Sequence, residues 1–222
     1  GPSASELIER GRLAPPVVYA PEKSVDLSGV KKRGGDYVAS QLASAVDKSG
    51  ITGDAVAHYR KFCERQPSIA FCVTVDHAGH VADQFKAAGY QAAVLTGSTP
   101  DRERREMIRD LGKGVLHVLA SCNVVSEGTD IPTVAAAIML RPTASYALAM
   151  QPIGRALRVY PGKEKAIVLD HAGNTLRHGL PTDAVDWSLD GKPGKPKSSP
   201  VKRCFACSVV VSLSAKQCPQ CG

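Results

Sequence analysis

Residues 115–140, VLHVLASCNVVSEGTDIPTVAAAIML, decide the fold of this chain. Two apolar runs, 115–121 and 134–140, lie on either side of a polar turn. Apolar residues fill both runs almost without interruption, whereas a strand with one solvated face would alternate apolar and polar side chains. The stretch therefore predicts two strands of a parallel sheet that is covered on both faces.

The same rhythm of strand and helix extends outward from this stretch. Short runs rich in Val, Ile and Ala predict further strands at 68–75, 92–97 and 165–170. Helical patterns lie between them at 77–89, 100–111 and 144–157. This alternation predicts an α/β fold, an open parallel sheet with right-handed crossovers and helices on both faces. Since ligands of such sheets gather at the carboxyl ends of the strands, we expect the chemistry there.

The N-terminal part is less regular. Gly1-Pro2-Ser3 is typical of a scar left by tag cleavage, and residues 1–16 are predicted to be this scar and a linker. The run Val17-Val18-Tyr19 is either an edge strand or part of a connection to something upstream. Residues 34–66 show helical spacing, and the main domain is predicted to span 17–188.

Composition narrows the class of protein. The chain has 222 residues, is 43% hydrophobic and carries a formal net charge of +7. The charge favours a polyanionic partner, although a solvated basic face would also explain it. No stretch reaches the roughly 18 apolar residues of a membrane span, so we expect a soluble protein without a membrane partner. Three isolated cysteines, Cys63, Cys72 and Cys122, are expected to be buried free thiols, which fits a reducing cytoplasm.

The C-terminal part differs in composition. A basic linker is predicted over 189–203, where residues 191–203 hold five basic residues, three prolines and no acid. A knuckle over 204–222 follows, with the spacing Cys204-x2-Cys207-x10-Cys218-x2-Cys221. Two such pairs can supply four thiolates to a structural Zn²⁺, which we predict. Two disulfides and an iron centre of the rubredoxin type are the alternatives.

Two further stretches carry polar groups suited to a phosphate. Arg155 and Arg158 are three residues apart, so they can converge on one anion from a helix, with Gln151 one turn earlier. A solvated basic helix is the alternative. Gly128 and Asp130 lie in the polar turn of the opening stretch, where we expect an exposed carboxylate and close backbone approach to a ligand.

In their order along the chain these stretches resemble motifs V and VI of superfamily 2 helicases. Residues 71–78 (FCVTVDHA) are similar to motif IV, and 95–99 (LTGST) with Arg104 and Arg105 to the segment after it. The resemblance covers residues 66–160 and implies the second RecA-like lobe of an ATP-dependent helicase or translocase. The DHAGN stretch at 170–174 and the terminal cysteines make the chain similar to the RadD DNA-repair family.

The resemblance also implies roles for residues and partners. Arg155 and Arg158 would reach the γ-phosphate of an ATP–Mg²⁺ held by an N-terminal lobe, one of them as the arginine finger, and Gln151 would sense the same phosphate. The residues implied to bind the nucleotide are Gly128, Asp130 and Gly154. Those implied to meet the backbone of DNA, single-stranded or branched, or of RNA are Thr74, His77, Thr96, Gly97, Cys122 and Asn123. A thiol donates poorly to phosphate, which weakens the case for Cys122.

No phosphate loop of the form G-x-x-x-x-G-K-[ST] occurs in the sequence, and the Gly-Lys pairs at 162–163 and 194–195 lack its pattern. We therefore expect no ATP hydrolysis by this chain alone. A non-enzymatic DNA- or protein-binding module and the motor lobe of a restriction or nuclease complex remain alternatives. The knuckle could contact DNA or a repair protein, and the implied location is the cytoplasm, at a bacterial nucleoid or in a phage-infected cell.

Asp170-His171 follows a predicted strand and could be read as a metal or hydrolase site. Capping or cleft-lining hydrogen bonds are the expected role of these two side chains.

Overall fold

A computed structural model describes residues 2–22, 25–47, 51–122, 134–185 and 200–222, with the backbone alone at 47 and 51–53. The strands are β1 (Pro16–Tyr19), β2 (Lys32–Arg33), β3 (Asp36–Tyr37), β4 (Ser68–Phe71), β5 (Ala92–Leu95), β6 (Val118–Ser121), β7 (Ala136–Met139), β8 (Ala166–Asp170), β9 (Val201–Arg203) and β10 (Val210–Ser212). The helices are α1 (Ala4–Glu9), α2 (Ala39–Asp47), α3 (Ile51–Cys63), α4 (Val75–Ala87), α5 (Asp101–Gly112), α6 (Tyr146–Ala156) and α7 (Asn174–His178). None of these helices is long and apolar enough to cross a membrane.

Six strands form one sheet in the order β1-β8-β7-β4-β6-β5, and every neighbouring pair is parallel. The predicted fold class is thereby confirmed. The strands are shorter than the apolar runs that predicted them. In β6, for example, the amides of Val115 and Leu116 donate to the carbonyl of Asp110 at the end of α5, so the strand begins only at Val118.

The sheet is covered on both faces, as its continuous apolar strands predicted. Adjacent residues of β4 point to opposite sides, so that Ile69 joins one core and Ala70 the other. On the side of α3 and α4, Tyr59 packs edge-on against Phe85 with 5.3 Å between ring centroids. On the side of α5 and α6, Ile153 closes the second core. Small alanines in β7 leave room for helices to approach the sheet closely.

The N-terminal part is more ordered than the sequence indicated. Residues 4–9 form α1, which begins with a reciprocal capping box between Ser3 and Glu6. Ser5 donates from its hydroxyl to the carbonyl of Thr182 at 3.1 Å, which attaches this helix to the main domain. The stretch predicted to be irregular therefore contains a helix, and β1 is an edge strand paired with β8.

A small hairpin precedes α2, where the sequence predicted helix from residue 34. Gly34 and Gly35 link β2 to β3 with φ values of 62° and 86°. Two consecutive residues in this left-handed region are the requirement of a tight two-residue hairpin turn, and glycine meets it without strain. The helical pattern therefore begins at Ala39.

The terminal hairpin packs against the main domain. β9 and β10 pair in antiparallel fashion, so the predicted linker ends before Val201 and not at 203. Most of that linker, residues 189–199, lies outside the described residues. The backbone amide of Ala20, just beyond β1, donates to the carbonyl of Ser208 at 3.0 Å, and Tyr19 forms an antiparallel bridge with Val209. The knuckle is thus joined to the carboxyl end of the edge strand.

Candidate nucleotide and nucleic-acid site

The two arginines lie together at the C-terminal end of α6. Arg155 is in the last turn of the helix, and Arg158 follows Leu157, the C-cap residue. The amide of Arg158 donates to the carbonyl of Arg155 at 3.4 Å, so a tight turn preserves the spacing beyond the helix end. Both side chains are half-buried, and burial lowers the pKa of Arg155. Gln151 and Gly154 are exposed on the same helix.

Lys163 supports this end of the helix. Its Nζ donates to the carbonyl oxygen of Val134 at 2.7 Å, to that of Arg158 at 2.9 Å, and also to that of Ala156. Burial lowers the pKa of Lys163 to about 8. The sequence showed Lys163 only as part of a false phosphate-loop match. Nothing in the sequence indicated that this lysine binds three carbonyl oxygens.

The arginines are not at the edge of the sheet where we expected ligands. Because α6 connects two parallel strands, it runs from the carboxyl edge to the amino edge, and its 11 residues cover about 16 Å. Arg158 forms a bridge with Leu13, and Leu157 accepts from the amide of Ala14 at 2.7 Å. Both partners precede β1. The arginine pair therefore lies towards the amino edge, which corrects the expectation that it projects from the carboxyl edge.

The carboxyl edge holds the residues predicted to meet a nucleic-acid backbone. Thr74 caps α4, and its hydroxyl accepts from the amide of His77 at 3.1 Å. His77 is only 3% exposed, and its Nδ1 accepts from the amide of Val73 at 3.3 Å. Cys122 is also buried and donates from its thiol to the carbonyl of Val73 at 3.4 Å. Burial makes His77 and Cys122 the weakest of these predicted contacts.

A more accessible group follows β5. Gly97 and Ser98 are exposed, and the hydroxyl of Thr96 lies 2.9 Å from that of Ser98 and 3.3 Å from that of Thr99. Thr99 also accepts from the amide of Thr96 at 3.0 Å, which fixes the turn. Hydroxyls and amides of this kind can donate to phosphate without regard to sequence.

A polar network at this edge was missed in the sequence. The carboxylate of Asp36 accepts from the guanidinium of Arg141 at 3.2 Å, the hydroxyl of Thr143 at 2.9 Å and the amide of Ala144 at 2.8 Å. Asn174 accepts from the amide of Thr143 at 3.0 Å. The network joins the β2–β3 hairpin to the start of α6. A Gly-Gly pair followed by Asp was the signal for the hairpin, but the contact spans over 100 residues and left no local pattern.

Three predicted site residues, Asn123, Gly128 and Asp130, lie outside the described residues, in the connection between β6 and β7. This connection starts at the carboxyl edge after Cys122 and rejoins the amino edge at Val134, since both strands are parallel.

Comparison with known proteins assigns a family to the part of the chain that contains the arginine pair and the predicted nucleic-acid contacts. Residues 55–160 match the family described as Helicase conserved C-terminal domain. These residues form a helicase C-terminal domain. The matched range includes the residues that resemble motifs IV to VI, with Gln151, Gly154, Arg155 and Arg158 near its end.

Relatives of this helicase domain are longer than the chain. A 51.5 kDa protein of a Lactococcus phage is 34% identical over 227 residues, which cover all of this chain and 50% of the phage protein. The putative mitochondrial ATP-dependent helicase irc3 of Schizosaccharomyces pombe is 39% identical over 158 residues, 67% of this chain and 26% of the yeast protein. The chain thus spans half or less of these relatives.

A solved structure shares the fold. The fragment structure of a putative HsdR subunit of a type I restriction enzyme from Vibrio vulnificus superposes with a TM-score of 0.59 at 19% identity, covering 85% of this chain and 36% of that one. At this identity the likeness shows the RecA-like fold of the helicase domain and nothing about substrate.

Beyond the helicase domain, the four terminal cysteines converge. Their Sγ atoms all lie within 4.8 Å of one another, with 3.7 Å between Cys204 and Cys221 and 3.6 Å between Cys207 and Cys218. A tetrahedral zinc with bonds of about 2.3 Å places its sulfurs about 3.8 Å apart, whereas a disulfide needs about 2.05 Å. Hydrogen bonds with the thiols of Cys207, Cys218 and Cys204 raise the pKa of Cys221 to about 12, and a bound divalent cation would lower it. The geometry fits a four-thiolate metal site.

Asp170 and His171 do not form a hydrolytic site. The Asp170 carboxylate is buried and accepts from the amides of Asn174 at 3.0 Å and Thr175 at 2.6 Å, so it caps α7. His171 packs against His58 with 4.9 Å between ring centroids. Burial, together with His58, lowers the pKa of His171 to about 3, which keeps it neutral at physiological pH. The capping role expected from the sequence is the one these contacts support.

Proposed function

We propose that the chain is the second motor lobe of an ATP-dependent DNA helicase or translocase that acts in DNA repair or recombination. Arg155 and Arg158 supply the charge that stabilises the transferring γ-phosphate of an ATP–Mg²⁺ held by an N-terminal lobe. Gln151 senses that phosphate, and Gly128, Asp130 and Gly154 contact the nucleotide. Thr74, Thr96, Gly97 and Asn123 contact the nucleic-acid backbone.

The arrangement at the end of α6 is the observation that carries this proposal. Two guanidinium groups three residues apart lie within the matched helicase domain, and Lys163 secures the backbone beside them from behind. A planar guanidinium suits a phosphoryl group whose charge is spread over several oxygens. A module that only bound nucleic acid would not need such a pair at the edge away from its hydroxyl-bearing turns.

The separation of the two groups of residues suggests how the lobe couples its functions. The backbone contacts lie at the carboxyl edge and the arginine pair lies towards the amino edge, with α6 running between them. Closing of the two lobes on ATP would therefore move the nucleic-acid contacts as one body with the arginines. Reopening after hydrolysis would return them, which produces a step along the strand.

The experiment requires a protein that carries both lobes. ATP turnover of the wild type is measured with and without single-stranded DNA. The same measurement is made for the variants Arg155→Ala, Arg158→Ala and Arg102→Ala. Loss of an arginine finger lowers turnover by about 10³-fold or more. Arg102 is an exposed residue of α5, with 88% of its side chain accessible, and its replacement should have no effect. Full DNA-stimulated turnover in both the Arg155 and the Arg158 variant would refute the proposal.

The proposal also covers the cellular location of the protein and the metal bound by its terminal cysteines. The phage relative supports a bacterial or phage-infected cytoplasm as the site of action. The terminal cysteines would hold a structural Zn²⁺, since four protein ligands leave no open position for catalysis. The knuckle would then serve binding and not the chemical step.

A further inference from the structure

The knuckle is held in a fixed position on the helicase domain. In addition to the backbone contacts at the end of β1, Val209 and Val211 belong to the same buried apolar cluster as Tyr19 of β1. Val209, Val210 and Val211 are all buried. The valines, which in the sequence alone could have formed a groove for a protein, are therefore used within the chain.

One large apolar side chain of the knuckle remains in solvent. Phe205 is 92% exposed, more than any other large hydrophobic residue in the part of the chain that the structure describes. It lies between Cys204 and Cys207, in the turn that supplies two of the four thiols. A metal-held turn fixes the backbone of this residue, so little conformational freedom remains to be lost when the ring meets a ligand.

A cation lies against the exposed ring. The guanidinium of Arg203 lies 5.8 Å from the centroid of Phe205, which leaves the other face of the ring open. Lys202 of β9 and Lys216, which follows the hairpin, are also exposed, and residues 191–222 contain no acidic residue. An aromatic face beside cations is the combination with which proteins bind single-stranded nucleic acid, through base stacking and phosphate attraction.

The Phe205 ring also lies at the carboxyl edge of the sheet, the edge that holds the predicted nucleic-acid contacts. Tyr19, which bridges to Val209, is the last residue of β1, so the knuckle turn is at the carboxyl edge. Thr74 follows β4 at this same edge. Three strand spacings separate β1 from β4, a distance of about 14 Å along the edge. A strand bound at Thr74 could therefore continue to Phe205.

We propose that Phe205 is a stacking platform for a base of single-stranded nucleic acid that runs along the carboxyl edge. The inference rests on the proposed function, because it extends the backbone contacts made by the helicase domain. Arg203 holds one face of the ring and neutralises a nearby phosphate, and the base covers the other face.

The test measures binding of the zinc-loaded chain to two fluorescent oligomers of equal length, one of thymidines and one of abasic sites. Phe205→Ala should weaken thymidine binding by roughly 5- to 100-fold, since stacking on an aromatic ring contributes that much per base. Binding of the abasic oligomer should be unchanged. Phe205→Tyr retains a ring and should bind like the wild type. Leu213→Ala removes another exposed apolar residue of the knuckle, 55% exposed, and serves as the matched control.

The outcomes separate the two proposals. If Phe205→Ala binds the thymidine oligomer as tightly as the wild type, the stacking role is overturned and the proposed helicase function is unaffected. The exposed ring would then be assigned to contact with a protein partner. Equal losses on both oligomers also overturn it, because the ring would then act through the fold. If the wild type binds neither oligomer, the nucleic-acid contacts proposed for the helicase domain are overturned together with the stacking role. Zinc content of each variant, measured with a chromogenic chelator after denaturation, shows that the knuckle is formed.

Discussion

Lys163 donates a hydrogen bond from its Nζ to the carbonyl oxygen of Arg158 at 2.9 Å, and the same Nζ reaches Val134 at 2.7 Å. Arg158 is the second residue of the arginine pair, and Val134 leads into β7. One ammonium group therefore joins the backbone at the arginine pair to the residues that lead into β7. We expect this contact to help position the arginine pair.

Replacing Lys163 by Met should impair both stability and turnover. Carbonyl oxygens at the end of α6 would lose their shared donor, at a cost of about 1.5–3 kcal/mol for a charged hydrogen-bond donor. Urea unfolding of this chain measures that loss. In a two-lobed protein kcat should fall while the KM for ATP changes little. Lys163→Arg keeps the charge and should recover much of the turnover. Equal kcat values in the wild type and the Met variant would exclude a positioning role.

Acid should destabilise the fold through His171. Its pKa in the folded chain is lowered to about 3, below the ordinary value of 6.5, because it is buried beside His58. As pH falls below about 6.5, the unfolded chain takes up a proton that the folded chain refuses, and the free energy of unfolding decreases by about 1.4 kcal/mol per pH unit. The contribution is complete above pH 6.5 and disappears as pH falls towards 3. His171→Leu should flatten this part of the curve. Parallel curves for the two proteins would contradict the assignment.

Asp36 should be important for the start of α6. Asp36→Ala removes the acceptor of three donors, one of them a guanidinium, and should lower the free energy of unfolding by about 2–3 kcal/mol. Asp83→Ala is the matched control, since the Asp83 side chain is 74% exposed and pairs only at the surface with Lys86. Such exposed pairs contribute about 0–1 kcal/mol. A loss no greater than that of the control would show that the hairpin contact is dispensable.

Thiol counting distinguishes zinc from disulfides in the knuckle. The chain has seven cysteines, so a metal-bound protein should yield seven reactive thiols after denaturation in chelator without reductant. Two disulfides would leave only three. Cobalt in place of zinc should give the visible absorption of tetrahedral thiolate ligands. Before denaturation, chelation should raise amide exchange at Val209–Val211 and leave β4 and β7 protected, because only the knuckle depends on the metal.

Much of the sheet could be predicted because its strands carry their own signal. The runs around Ile69, Leu119 and Ile138 are apolar on both faces, and burial on both sides is the only environment that suits them. The convergence of the four cysteines followed from their spacing alone. Elements that depend on distant partners could not be predicted in this way. α1 is six residues long, and its attachment through Ser5 to Thr182 leaves no pattern in either segment.

The candidate site shows the same limit. The sequence identified Arg155 and Arg158 from spacing and family resemblance, but it placed them at the wrong edge of the sheet. The rule that ligands gather at carboxyl ends concerns loops that follow strands, whereas these arginines end a crossover helix. Lys163 was missed because a lysine that binds three carbonyls looks, in sequence, like any other surface lysine.

The most direct test separates ATP binding from the chemical step in a protein that carries both lobes. Binding of a fluorescent ATP analogue and single-turnover hydrolysis are measured with single-stranded DNA present for the wild type, Arg155→Ala and Arg158→Ala. If the arginines act on the transferring phosphate, at least one variant should bind the analogue within about threefold of the wild type, yet hydrolyse ATP about 10³-fold more slowly. Hydrolysis at the wild-type rate in both variants would contradict the account.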